Sequence, residues 1–363
     1  MPALYQRSAQ FGNAAPARRV GAAVRWLRWR LRCYARFVQK TPLVIVTPAL
    51  ADANNGNWQT AQRWARMLGQ AYRVHLVTDW SADGPAADAE VMVALHARRS
   101  AASVTAWRNV HPRGPLLLAL TGTDLYRDVH NDPVAMRSLV LADALLVLNE
   151  LGPLSLPAPL RSKCHVVLQS CSARATLAKT NRHLRALMVG HLREEKDPHT
   201  YFSAAELLAA RSDIWLDHIG VALDPTLGAQ ASALAARNPQ YRWLGGVAHA
   251  QVRRRIQAAH VLVHPSRMEG GAHVVMEAIR SGTPVIASDI DGNVGLLGAD
   301  YGGYFAQGDA CALAARLAQV RDNPEELDRL RQQVLHRSAL FAPEREAAAL
   351  QALLAQLVQA STH

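Results

Sequence analysis

Short apolar runs alternate with segments of helical period along most of the chain. Residues 43–48 (LVIVTP) and 74–78 read as strands on either side of a helix over residues 58–68. Val91–Leu95 follows as a strand, and residues 99–110 as a helix. Leu116–Leu120 (LLLAL) and residues 144–148 are apolar at successive positions without alternation, as strands covered on both faces must be. Residues 166–169 read as the last strand of this half. A polar, weakly patterned stretch at residues 170–183 has the character of a linker, and then the pattern restarts. Strands are expected at residues 186–189, 215–221, 241–244, 261–264 and 284–288, with helices at 201–210, 225–237, 252–259 and 273–280. Helices rich in Ala, Leu and Arg run from Ala310 to the end.

Alternating strands and helices with buried strands predict an α/β chain of two doubly wound parallel sheets. A ligand cleft is then expected between the two halves, at the carboxyl ends of both sheets. A length of 363 residues suits two domains of about 150–180 residues each. The divisions expected are a basic extension at 1–40, a Rossmann-like domain at 41–180 and a second Rossmann-like domain at 181–340. Residues 341–363 are expected to form a C-terminal helix packing back toward the first domain.

Composition adds one correction to this picture. The net charge of +11 suggests a polyanion binder, but residues 1–40 carry Arg7, Arg18, Arg19, Arg25, Arg28, Arg30, Arg32, Arg36 and Lys40 with no acid. Only two of the eleven net charges fall on the rest, so the body of the chain is not a basic nucleic-acid binder. The run from Arg25 to Phe37 interleaves arginine with aromatic residues. It suits a helix making weak membrane-surface contact over residues 18–40, a nucleic-acid contact, or an extension with no part in the chemistry. No run approaches the roughly 18 apolar residues of a membrane span. Cys33, Cys164, Cys171 and Cys311 form no C-x-x-C pair and read as reduced thiols, which suggests the cytoplasm.

Candidate chemistry is densest at residues 261–289, VLVHPSRMEGGAHVVMEAIRSGTPVIASD. Glu269 precedes the expected helix on a Gly270-Gly271 turn, whose amides can meet phosphate or sugar oxygens. Glu277 lies more than one turn inside the helix, so the two carboxylates can face different parts of one ligand. The segment resembles the nucleotide-sugar site of the family-4 GT-B glycosyltransferases, which carry P-S-x-x-E-G, a helix, and E-A-x-x-x-G-x-P-V-I-A-S. That resemblance implies that Glu269 contacts the transferred sugar and Glu277 the ribose hydroxyls.

A second stretch, Val189-Gly-His-Leu-Arg-Glu-Glu-Lys-Asp, resembles that family's G-R-L-x-x-x-K-G, where Arg and Lys neutralise the donor diphosphate. Lys196 matches, beside Gly190, while His191 stands where the arginine is usual. Either a protonated His191 or Arg193 supplies the second charge. Asp289-Ile-Asp291 spells D-x-D but reads as loop structure rather than a metal site. Residues 291–295 resemble the loop whose backbone approaches the diphosphate, with Gly292, Asn293 and Gly295 in close contact. The resemblance implies a metal-independent transferase with a UDP-sugar as co-substrate and no further cofactor.

In the first half, Asn55, Gly56, Asn57 and Gln59 form an Asn/Gly turn and helix start able to hold an anion. Thr121-Gly-Thr-Asp124 resembles the family's H-G-T-D turn with Thr121 in place of histidine. His96, Arg98 and Arg99 end another strand and are offered to an anionic acceptor. These acceptor-side segments, read together with residues 189–198, resemble the selenosugar synthase family of selenoneine biosynthesis. The resemblance runs from residue 43 to the C-terminal helices. It implies selenophosphate as acceptor, UDP-N-acetylglucosamine as donor and a selenium-linked sugar as product. Such an anion is a soft nucleophile that needs positioning more than a base, whereas a hydroxyl acceptor gains about 10²–10⁴-fold from one. A transferase acting on a saccharide or lipid hydroxyl, and an inactive nucleotide-sugar sensor, remain the alternatives.

Overall fold

The structure, a computed structural model, describes residues 40–49 and 56–361. The basic run at 18–39 and Asn55 lie outside the described residues. The first sheet is built from β1 (Thr41–Val46), β2 (Tyr72–Val77), β3 (Val91–Leu95), β4 (Leu116–Leu120), β5 (Ala144–Val147) and β6 (Cys164–Val166). Between them run α1 (Gly56–Leu68), α2 (Ala101–Val110) and α3 (Pro133–Leu141). The strand order is β2-β1-β3-β4-β5-β6, with parallel pairing from β1 through β6.

Every residue of β3, β4 and β5 is buried, because each face of the sheet is covered. On one face Trp80, Trp107, Leu125 and Leu139 pack against alternate strand positions. On the other lie Trp64 and Leu68 of α1, which with Thr60 and Ala61 form that helix's buried stripe.

The second sheet uses β7 (Leu184–Val189), β8 (Ile214–Ile219), β9 (Tyr241–Trp243), β10 (Val261–His264), β11 (Val285–Ser288) and β12 (Tyr304–Phe305). Its order is β12-β11-β10-β7-β8-β9, all parallel. The connecting helices are α4 (Pro198–Leu207), α5 (Pro225–Arg237), α6 (His249–Ala258), α7 (His273–Ile279) and α8 (Asp291–Leu297). Then come α9 (Ala310–Asp322), α10 (Pro324–Arg337) and α11 (Pro343–Ser361). Asp224, Asp309 and Asn323 cap α5, α9 and α10 by accepting from first-turn amides, and Pro follows at the first position of α5 and α10.

Although α11 follows the second sheet, its Leu350, Leu353 and Leu354 are buried in the same cluster as Trp64 and Leu68 of the first. Burying three leucines contributes about 1.5–3 kcal/mol each, which holds the end of the chain on the first sheet.

Of the elements that differ from the sequence reading, three bear on the frame of the site. The last strand of the first sheet is Cys164–Val166 rather than 166–169, because it pairs with Leu145–Val147 on β5. Residues 291–295, expected as a loop, are the first turns of α8. α3 has no counterpart in the hydrophobic pattern, being nine residues long, although Asp132-Pro133 supplies its cap: the Asp132 carboxylate accepts from the Val134 and Ala135 amides.

Candidate active site

A cavity of about 310 Å³ opens between the ends of the two sheets. Its first wall is the start of α1, where Gly56, Asn57, Gln59, Thr60 and Arg63 lie. The Thr60 hydroxyl donates to the Gly56 carbonyl at 2.8 Å and accepts from Gln169 Nε2 at 2.7 Å, which fixes the turn entering the helix. Arg63 is gripped from behind by Glu346 of α11, its Nε and Nη2 donating at 2.9 and 3.1 Å. Trp64 Nε1 and the Ser170 amide donate to the same buried carboxylate. Removing one partner from such a buried charge costs about 3–5 kcal/mol.

The opposite wall is built around Glu277, 1% exposed and the only carboxylate among the lining residues. Its Oε1 pairs with His249 Nε2 at 2.6 Å, and His273 Nε2 and Arg253 Nη1 stand 3.7 Å away. His249, exposed at the start of α6, has its pKa raised, chiefly by this hydrogen bond. His273 sits one turn before Glu277 on α7 and is pushed down to about 4 by burial and by the Arg63 charge.

The Lys196–Glu269 pair lies beside this cavity. A 3-10 turn at Glu194–Lys196 follows β7 and brings Lys196 Nζ to 2.5 Å from Glu269 Oε1. His264, at the end of β10, lies 3.2 Å from the same oxygen. Burial alone would raise the Glu269 carboxyl, but Lys196 and His264 more than reverse it and hold it well below the usual range.

Gly190 packs against the Lys196 side chain, and its carbonyl is 3.2 Å from His218 Nε2. His191 lines the cavity, and its Nδ1 accepts from the Val221 amide at 3.2 Å. A protonated imidazole would set two donors against each other there. Burial, then Arg193 and Lys196, lowers its pKa, so the ring is neutral and presents Nε2–H. Arg193 does not line the cavity, its nearest acid being Glu195 at 3.9 Å.

The two halves touch through backbone. A Cβ built on Gly270 would lie 2.4 Å from the Thr121 carbonyl oxygen, so only glycine lets the two turns meet. Asn149 Nδ2 donates to the Gly270 carbonyl and to Tyr126 Oη, both at 2.8 Å. Thr121 and Gly271 both line the cavity at this junction.

Other residues singled out by sequence are placed elsewhere. Arg98 is exposed and pairs with Asp132 at 2.8 Å, and Arg99 is exposed beside it; neither lines the cavity. His96 is buried with φ +74°, its Nε2 3.2 Å from Thr123 Oγ1 and its Nδ1 accepting from the Arg99 amide, so it shapes a turn. Asp124 is buried and accepts from the Thr121, Gly122 and Ala97 amides, which holds the Thr-Gly turn rather than a ligand. Gly292 closely approaches protein rather than the cavity: a Cβ there would lie 2.0 Å from the Glu269 carbonyl oxygen. Gly295 packs in the same way against Asn149, and Asn293 donates to the Ser288 carbonyl.

Sequence reasoning missed Arg63, His249 and His273. The i, i+4 spacing of His273 and Glu277 was a readable signal, as was Arg63 one turn beyond Gln59. His249 had none, since only the fold brings α6 over α7.

The family model for glycosyl transferases group 1 matches residues 172–337. No curated protein matches the chain. Among solved structures, sucrose-phosphate synthase from Thermosynechococcus elongatus is 16% identical with a TM-score of 0.69, covering 88% of this chain and all of that one. HepE from Anabaena in complex with UDP has a TM-score of 0.69 at 15% identity, with 88% and 100% covered. A TarM variant from S. aureus, in complex with fondaparinux, alpha-GlcNAc-glycerol and UDP, has a TM-score of 0.59 at 12% identity. That match covers 74% of this chain, which spans only 55% of TarM. At these identities the likeness is one of fold. The chain has the GT-B fold, and residues 172–337 of it match the family model of group 1 glycosyl transferases.

Proposed function

We propose that the protein moves a sugar, N-acetylglucosamine, from a UDP-sugar to selenophosphate, releasing UDP and a selenium-linked sugar. The observation that carries the transferase reading is the Lys196–Glu269 pair, 2.5 Å apart, beside a cavity whose far wall holds Glu277. In this reading Glu277 accepts from the ribose hydroxyls and Glu269 from the sugar. Lys196, with the neutral His191 donating through Nε2–H, stabilises the negative charge that develops on the departing diphosphate. These donors supply that stabilisation without a metal ion. HepE has been solved with UDP-glucose and TarM with UDP, which supports a UDP-sugar as donor.

For the acceptor, the support is the first-half resemblance together with the cavity's composition. Glu277 is the only carboxylate lining it, and that residue is assigned to the donor, so an acceptor that needs no general base fits best. The commitment of Arg98 to Asp132 removes one cation expected for an anionic acceptor and favours, as the second reading, a saccharide or lipid hydroxyl. Among the described residues no helix is long and apolar enough to cross a membrane, and the proposed setting is the cytoplasm.

UDP release from UDP-N-acetylglucosamine, followed with selenophosphate, thiophosphate or a saccharide acceptor and repeated with a chelator, tests this. Release driven by selenophosphate and indifferent to the chelator supports the proposal. Release driven by the saccharide alone replaces it with the second reading.

A further inference from the structure

Arg63 is the only arginine among the residues lining the cavity. Glu346 engages it side-on through Nε and Nη2, at 2.9 and 3.1 Å. A guanidinium held in this way keeps the opposite edge, Nη1 and the second Nη2 hydrogen, directed away from the carboxylate. Among the described residues none accepts from Nη1. At His273 on the far wall Arg63 acts to lower the pKa and Glu346 to raise it, the arginine by more, so Glu346 does not fully cancel the charge toward the cavity. The other basic groups lining the cavity are imidazoles, whereas a guanidinium stays charged throughout. The walls are therefore unequal: a fixed cation with Gln59 and Thr60 on one side, and a single carboxylate, Glu277, on the other.

We infer that Arg63 is the residue that recognises an anionic acceptor, gripping two oxygens of a phosphate-type group. Glu346 of the C-terminal helix presets its orientation. This rests on the anionic-acceptor reading above and names the group that serves it. The planar fork matches the spacing of two oxygens on a tetrahedral oxyanion, as an ammonium does not. A neutral hydroxyl would leave that edge short of acceptors, so the same residue selects against saccharides. Glu346 lies 283 positions on in the chain, which is why the return of α11 to the first sheet matters for the site. With its carboxylate behind it, the guanidinium loses little side-chain freedom when an anion arrives.

The test is calorimetric titration of thiophosphate into the full chain saturated with UDP, for the wild type, Arg63→Gln and the double variant Arg63→Gln/Glu346→Gln. The expected result is a rise of tenfold or more in the Kd for thiophosphate, with the Kd for UDP within twofold of wild type. An unchanged thiophosphate Kd in a variant that still binds UDP overturns the inference. If the single variant no longer binds UDP, the double variant, which leaves no unpaired buried carboxylate, is read by the same two outcomes. Loss of UDP binding in both makes Arg63 a structural support and also overturns it. A wild type that binds UDP but no thiophosphate instead refutes the anionic-acceptor reading itself.

Discussion

Lys196 Nζ and Glu269 Oε1 lie 2.5 Å apart, although one follows β7 and the other β10, 73 positions later. Both ends sit at the carboxyl edge of the second sheet, where the adjacent parallel strands β7 and β10 deliver them side by side. Lys196→Ala is expected to lower turnover by about 10²–10³-fold, the usual scale for removing a donor to developing negative charge. It also leaves Glu269 buried without its ammonium, so the thermal midpoint should fall. Glu269→Gln keeps the shape and should cost turnover while changing the UDP Kd by less than about threefold. Initial rates with calorimetric UDP binding separate the two; equal losses in both quantities at both sites would contradict the division of roles.

The His249–Glu277 pair predicts a pH dependence of nucleotide binding. Glu277 favours the protonated form of His249, whose pKa is raised above the ordinary value. If ribose hydroxyls take over Glu277, His249 loses its partner and releases a proton. UDP affinity should therefore strengthen as pH rises through the raised His249 pKa and level off above it. His249→Ala should flatten that profile, and Glu277→Ala should weaken UDP binding at every pH, by about tenfold. A wild-type profile that is flat between pH 6 and 8.5 would refute the exchange.

Much of this was legible in the chain itself, and what was not has physical causes. The buried runs LVIVTP and LLLAL, and the E-x7-E pair on its glycine turn, carry their meaning locally. Glu269, Glu277 and Lys196 were therefore singled out as candidates without coordinates. His96, Arg98 and Asp124 were correctly placed at strand ends, but proximity to a cleft does not decide where a side chain is spent. Arg98 finds Asp132, and Asp124 finds three amides. The Arg63–Glu346 contact spans nearly the whole chain and leaves no periodic trace. Gly292 resembled a phosphate-loop glycine because close approach to a carbonyl and to a ligand demand the same absence of Cβ.

Gly292→Ala tests that last distinction. The added methyl would lie 2.0 Å from the Glu269 carbonyl oxygen, a backbone atom that cannot rotate away. The cost should be about 1–3 kcal/mol, as for other overpacked sites. Glu269 itself would be displaced, so turnover should fall more than UDP affinity. A variant with normal turnover and weakened UDP binding would restore the glycine to the diphosphate.

Stability in acid should carry the mark of His218. Burial pushes this histidine down to about 4, with Tyr241 Oη at 3.1 Å from Nδ1 and the Gly190 carbonyl at 3.2 Å from Nε2. Between an ordinary value near 6.5 and about 4, the unfolded chain binds a proton that the folded one refuses. Stability is thus lost as pH falls through that window, by up to about 3 kcal/mol. Denaturant midpoints at pH 7.5 and 5.0 check this. His218→Gln should lower stability at pH 7.5 yet shrink the difference between the two pH values; an unchanged difference would assign it to other groups.

The transfer proposed for this cleft joins the sugar of a UDP-sugar to selenophosphate. Mass spectrometry of the products of the full chain with UDP-N-acetylglucosamine and freshly prepared selenophosphate tests it most directly. Thiophosphate, phosphate and buffer serve as controls, with no metal added. The expected result is a selenium-bearing N-acetylhexosamine appearing in step with UDP. Intact UDP-N-acetylglucosamine after incubation, in protein shown to bind UDP, would contradict it.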